Sequence, residues 1–141
     1  MRRRRAVITG LGIVAPIGIG IVPFWKSALS GHSGIDWLTQ FDGSRLPRAC
    51  RMVGEVRDFV VNEWMGGMFG RMAGRFSHFA VAASRMALTE SRLGLVQTEI
   101  PPDRIKVSFG SSMSGVVDVV EKTFTSFLRG VDLSAVPILK G

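Results

Sequence analysis

Hydrophobic positions along the chain change period several times, and each change marks an element. Four arginines, Arg2 to Arg5, lead into twenty uncharged residues from Ala6 to Trp25. Within that run Ala6, Val7, Ile8 and Thr9 suit a short buried strand. Phe24, Trp25, Ala28 and Leu29 fall at helical spacing, which predicts a helix over 22–30 with one buried face, stopped by Gly31. A stretch of loop and short strands comes next, to about Phe59. Cys50 to Val56 alternates as a half-exposed strand does, and the glycines at 66, 67 and 70 predict a flexible connection. From Arg75 to Arg92 the pattern is clearly helical, with Phe76, Phe79, Ala80, Ala83, Ala87 and Leu88 as the apolar stripe and Gly94 as the stop. Pro101, Pro102 and Asp103 mark a turn, and 105–109 (Ile, Lys, Val, Ser, Phe) read as a strand. A small-residue loop, 110–115, opens a last helix over 116–128 with Val116, Val120, Phe124, Phe127 and Leu128 inward. Strand–helix–strand–helix with short turns predicts an α/β fold.

The uncharged run admits two further readings. Basic residues before an apolar stretch outline a signal peptide or a membrane span, and Ala28, Leu29 and Ser30 offer a small-residue cleavage site. Against a span stand Gly10, Gly12, Gly18, Gly20, Pro16 and Pro23, which break a continuous helix. Gly10 to Ala15 also match G-x-G-x-x-A directly after a strand, the pattern of a nicotinamide-binding oxidoreductase. That fingerprint needs a helix N-terminus at the glycines to receive a pyrophosphate. Pro16, Gly18 and Gly20 instead predict an extended glycine-rich loop. Strand, loop, then helix is therefore the preferred reading.

Charge and cysteine content narrow the function classes. The 141 residues carry 18 Lys and Arg against 11 Asp and Glu, a net charge of +7. Beyond Arg2 to Arg5 the arginines stand singly, whereas a nucleic-acid binder gathers its cations on one face. A solvated, arginine-rich surface is expected, with an acidic protein partner as the next option. The single cysteine, Cys50, excludes an intramolecular disulfide and a multi-cysteine zinc site, which favours a reducing, cytoplasmic compartment. No cofactor or metal is expected.

Five segments in one order carry a resemblance. They are 5–18 with the opening strand and glycine loop, 24–35 with the first helix and its turn, Gly54-Glu55-Val56 with Asp58-Phe59, the helix 75–88, and the strand and loop 107–115. Together these resemble the β-ketoacyl-(acyl carrier protein) synthases and polyketide ketosynthases, condensing enzymes of the thiolase-like fold. The resemblance covers about residues 2–130, approximately the first third of a complete synthase. It implies an incomplete thiolase-like layered α/β fold, the N-terminal portion of its first half, with residues 131–141 as a divergent tail.

The resemblance also implies a chemistry, a decarboxylative Claisen condensation. A cysteine thiolate accepts an acyl group from a thioester, and a malonyl thioester loses carbon dioxide to give the attacking carbanion. Two histidines and backbone amides polarise the carbonyls. The family's nucleophile and histidines lie beyond the matched segments, so no catalytic residue is assigned in this chain. Cys50 is read as an inert thiol, and His32 and His78 as structural. Met113 matches the residue lining the acyl-chain channel across the dimer interface, and a flexible thioether suits such a channel. Plain core packing is the other reading of Met113. The implied partner is an acyl carrier protein, with a homodimer or a synthase partner also open. No nucleic acid or membrane is expected.

Overall fold

The computed structural model describes residues 5–93, 100–112, 115, 116, 120 and 128. The uncharged run divides into three short pieces. Residues 5–13 form no ladder, then β1 (Val14–Ala15) and β2 (Gly18–Ile19) make an antiparallel hairpin in which Val14 faces Ile19 and Ala15 faces Gly18. Pro16 and Ile17 form the turn, where the fixed φ of proline is preset. The Gly20 N–H donates to the Ile13 carbonyl at 2.8 Å and closes the hairpin. Helix α1 (Ile21–Leu29) begins at once. Pro23 sits in its first turn, where the missing N–H would have had no helical acceptor. No described helix is long and apolar enough to cross a membrane.

Gly31 terminates α1 as expected, through left-handed backbone at φ +68°. Its N–H donates to the Ala28 carbonyl at 3.1 Å and the His32 N–H to the Ser27 carbonyl at 3.0 Å, the paired bonds of a Schellman stop. The expected buried face of this helix is not observed. Phe24 is half-buried, while Trp25, Ala28 and Leu29 are exposed, because no described element packs over them.

Strands β3 (Ile35–Trp37) and β4 (Met52–Gly54) pair antiparallel, with Ile35 opposite Gly54 and Trp37 opposite Met52. The alternation seen from Cys50 thus yields a shorter strand than expected. Cys50 itself lies in a 3-10 turn, Arg48–Arg51. Arg51 holds the intervening loop by donating to the Leu46 carbonyl at 2.9 Å and the Ser44 carbonyl at 2.7 Å. The Arg48 guanidinium lies 5.7 Å from the Trp37 ring centre, within cation–π range.

Three helices complete the described core: α2 (Val61–Trp64), α3 (Gly67–Met72) and α4 (Arg75–Ser91). The predicted flexible connection at 66–70 is a correction, since α3 occupies most of it. His78 ties α3 to α4, its Nε2 lying 2.8 Å from the Gly70 carbonyl oxygen. Helix α4 forms where its alanines and periodicity predict, but its buried centre is Ala82, with no exposed surface. Phe79 and Met86 flank it, so the inward face is rotated from the predicted stripe, and Phe76 and Leu88 are exposed. Val56 and Phe59 cover Ala82, and the Phe59 and Phe79 rings meet edge-to-face at 5.0 Å. The helix ends at Arg92 in left-handed backbone, φ +61°. Gly94, the expected stop, lies outside the described residues, as do Met113, Phe124, Phe127 and the tail 131–141.

The strands predicted at 6–9 and 105–109 are corrections. Residues 6–9 and 105–109 form no ladder in the described structure, and their apolar side chains are exposed. A strand exists only by pairing, and among the described residues neither segment has a partner. The described positions of the last helix, Val116, Val120 and Leu128, are helical but exposed, not inward.

Candidate functional site

The glycines of the fingerprint lie against α4. A Cβ on Gly12 would press on the Ala83 carbonyl oxygen, 2.6 Å from its carbon and 2.9 Å from the Ala83 Cα. One on Gly10 would meet the Ala87 carbonyl oxygen and lie 2.9 Å from the Ser91 nitrogen. Between them the Leu11 N–H donates to the Glu90 carboxylate at 2.5 Å. The small residues therefore allow main chain to pack on a helix. Beyond them the chain enters the β1–β2 hairpin, so the helix N-terminus a pyrophosphate requires is not at these glycines. This overturns the dinucleotide reading of Gly10 to Ala15.

The densest polar cluster is built where β3, β4 and the loop between them converge. The antiparallel register carries Asp36 to Arg57, whose Nη1 lies 2.8 Å from the Asp36 carboxylate. Arg57 Nη2 also donates to the Trp37 carbonyl at 2.7 Å, and Nε is 3.4 Å from Glu55. The Glu55 side chain is only 6% exposed. It accepts the Thr39 hydroxyl at 2.7 Å, the Thr39 N–H at 3.0 Å and the Gln40 N–H at 3.1 Å.

Charge-stabilising donors on this scale hold a carboxylate ionised. The Thr39 hydroxyl leads, with the Thr39 and Gln40 amides and Arg57 adding to it, and the Glu55 pKa falls to about 2. Asp36 is held below the usual carboxylate range first by the Arg57 hydrogen bond and then by the Trp37 amide. The Arg57 guanidinium is shifted upward, chiefly by Asp36. A carboxylate so low and so fully occupied serves neither as general acid nor as general base near neutrality. Its chemistry is to fix the 38–40 segment against β4.

This clamp has a defined pH signature. Because the folded-state pKa of Glu55 lies below its unfolded value of roughly 4.3, its stabilising contribution is complete above that pH and is lost as pH falls toward 2. The Thr39 and Gln40 amide resonances are expected to titrate together near pH 2 in the native protein, and Glu55→Gln should abolish the step. A midpoint near 4 would show that the clamp does not form.

Among the hollows between the described residues, two share Pro23, Glu63 and Trp64 in their walls. One, of about 570 Å³, lies between the hairpin and the Arg57–Asp58 segment and is lined by Pro16, Ile17, His32, Asp58 and Trp64 among others. The other, of about 610 Å³, is a more apolar groove bordered by Leu11, Val22, Trp64 and Met86. The candidate chemistry residues are not brought together. Cys50 is exposed on the 3-10 turn, His32 lies just past the α1 stop, and His78 is engaged with Gly70. Among the described residues no group of three His, Cys, Asp or Glu could hold a metal ion. The Arg57 cluster is not legible in the sequence as such. Glu55 belongs to a recognised motif, but its partners Thr39 and Gln40, like the Asp36 that pairs with Arg57, are brought there only through the β3–β4 pairing.

Comparison with known proteins agrees with this arrangement. The family described as Beta-ketoacyl synthase, N-terminal domain, matches residues 3–136, and the chain belongs to that family. The granaticin polyketide putative beta-ketoacyl synthase 2 of Streptomyces violaceoruber is 49% identical over 61 residues, 43% of this chain and 14% of that protein. A 3-oxoacyl-(acyl-carrier-protein) synthase 2 of Coxiella burnetii is 46% identical over 59 residues, 42% of this chain and 14% of the relative. Among solved structures, the ishigamide ketosynthase/chain length factor superposes with a TM-score of 0.67 at 26% identity, over 97% of this chain and 33% of that one. The fold is thus the N-terminal portion of the thiolase-like α/β architecture. The matches span about a seventh of the length of the curated relatives and a third of the solved chain.

Proposed function

We propose that this chain is scaffold of a β-ketoacyl-(acyl carrier protein) synthase and has no condensing activity by itself. The observation that carries this is the separation of the only thiol from both imidazoles. Cys50 stands on an exposed turn, while His32 and His78 belong to other elements. Acyl transfer needs a thiolate to form the new C–S bond while the donor thiol leaves with a proton. Condensation then needs polarising groups on the same cleft as the carbanion forms and carbon dioxide departs. Glu55, the most perturbed carboxylate, is committed to Thr39, Gln40 and Arg57. The described residues supply packing and loop fixation.

Within the complete enzyme, Met113 is assigned to the wall of the acyl channel, and the partner is an acyl carrier protein. The excess of 18 cationic over 11 anionic side chains favours encounter with an acidic carrier. Binding, where present, should weaken as salt rises through about 0.15 M, where the Debye length is about 8 Å.

The test of the main reading is direct. Incubated with an acyl thioester of coenzyme A or of a carrier protein, residues 1–141 are expected to gain no acyl mass on intact-protein mass spectrometry. An acyl adduct on Cys50 that is then consumed by a malonyl thioester would refute the proposal.

A further inference from the structure

We propose that Asp36 and Arg57 guard the outer edge of β3, closing it to strand addition by a second copy of this chain. The β3–β4 register decides which main-chain groups are at stake. The Leu38 N–H donates to the Arg51 carbonyl at 2.7 Å and Asp36 lies opposite Val53, so positions 36 and 38 turn their main chain toward β4. Antiparallel ladders alternate, and Ile35, Trp37 and Thr39 therefore turn theirs away. Among the described residues no further strand pairs with β3. The outward row is nonetheless occupied, by side chains. The Trp37 N–H donates to the Asp36 carboxylate at 2.7 Å, and the Trp37 carbonyl accepts from Arg57 Nη2 at 2.7 Å. The Asp36–Arg57 ion pair, at 2.8 Å, ties these caps together. Ser33 Oγ accepts the Ile35 N–H at 3.2 Å, and Glu55 accepts the Thr39 N–H at 3.0 Å.

A strand edge with free donors and acceptors is a template for another chain, and apolar side chains beside it raise the hazard. Ile35 is 57% exposed and Trp37 45%, and alternation puts both on one face of β3. The geometry selects the occupant. Two copies of β3 placed antiparallel about Asp36 set Ile35 of one opposite Trp37 of the other, so the outward main-chain groups of each copy meet those of its mate. Their apolar side chains then lie side by side on one face. The same register brings the two Asp36 carboxylates opposite each other, where like charges repel. Asp36 thus guards twice, by holding the Trp37 N–H and by its charge, while Arg57 holds the Trp37 carbonyl.

Sedimentation velocity of residues 1–141 over a concentration series is the test. The double variant Asp36→Ala/Arg57→Ala is expected to dimerise at a concentration at least about tenfold below that of the parent, with each single variant in between. Both side chains are exposed and neither belongs to the β3–β4 ladder, so circular dichroism should find the variants folded. Adding Ile35→Pro removes an N–H that points away from β4, and should return the double variant to the parent's behaviour. No gain in association by the folded variants overturns the proposal, as does a gain that Ile35→Pro fails to reverse. Unfolding of both single variants overturns it too, because the pair would then be a tie on which the fold depends and not a guard.

Discussion

Gly12→Ala is expected to be the most damaging single substitution in the described structure. The added methyl would collide with the Ala83 peptide of α4, and nothing at that contact can rotate away. Overpacking against side chains costs about 1–3 kcal/mol, and main chain against main chain lies at or beyond the upper end. With a urea m-value of about 1–3 kcal/mol/M, a cost of about 3 kcal/mol lowers the midpoint by roughly 1–3 M. That is a large share of the roughly 5–15 kcal/mol by which native domains are stable. Gly66→Ala is the control, because a Cβ there meets no atom within 4 Å. Circular dichroism during urea unfolding should separate the two variants clearly. Equal midpoints would mean that the 10–12 segment does not lie on α4.

Phe59→Ala is expected to come close behind. Phe59 is 8% exposed, sits with Val56 over Ala82, and contributes the edge-to-face contact to Phe79. Truncating a buried phenylalanine costs about 3–5 kcal/mol through lost transfer energy and the cavity left behind. The lower end applies here, since several neighbours are only half-buried and can close in. The Arg75 guanidinium, 4.9 Å from the Phe79 ring centre, would lose a packed ring as its platform. Phe41→Ala, at a position 62% exposed, should change the urea midpoint little. If thermal and urea unfolding ranked Phe41→Ala with Phe59→Ala, the core would have to lie elsewhere.

Both positions belong to segments that the sequence singles out, but for reasons that the structure changes. Gly12 stands in a fingerprint that reads as phosphate binding by pattern and acts as a helix contact in space. Phe59 closes the Gly54-Glu55-Val56, Asp58-Phe59 motif. That motif divides its labour: Glu55 clamps a loop, while Val56 and Phe59 form the core. A motif records that residues recur together, and the partners that explain it lie at other positions in the chain.

Local signals are legible where local physics is sufficient. Helix α1 and its Gly31 stop come from spacing and from the left-handed backbone glycine allows. Helix α4 comes from alanine content and period. The order of segments is enough to place the chain among the β-ketoacyl synthases, as the match over 3–136 shows. Which face of α4 is buried cannot be read from it, because Phe76, Phe79 and the alanines are all apolar. Only contact with Val56 and Phe59 selects Ala82 as the centre. The Asp36–Arg57 and Glu55–Thr39 pairs likewise depend on the register between β3 and β4. Strand propensity at 6–9 and 105–109 is legible, yet a ladder needs a second chain segment with its own donors and acceptors. Helix hydrogen bonds close within four residues and are therefore written in local sequence. Sheet pairing, glycine-on-helix packing and carboxylate clamps are made between distant residues, and only the tertiary structure decided them.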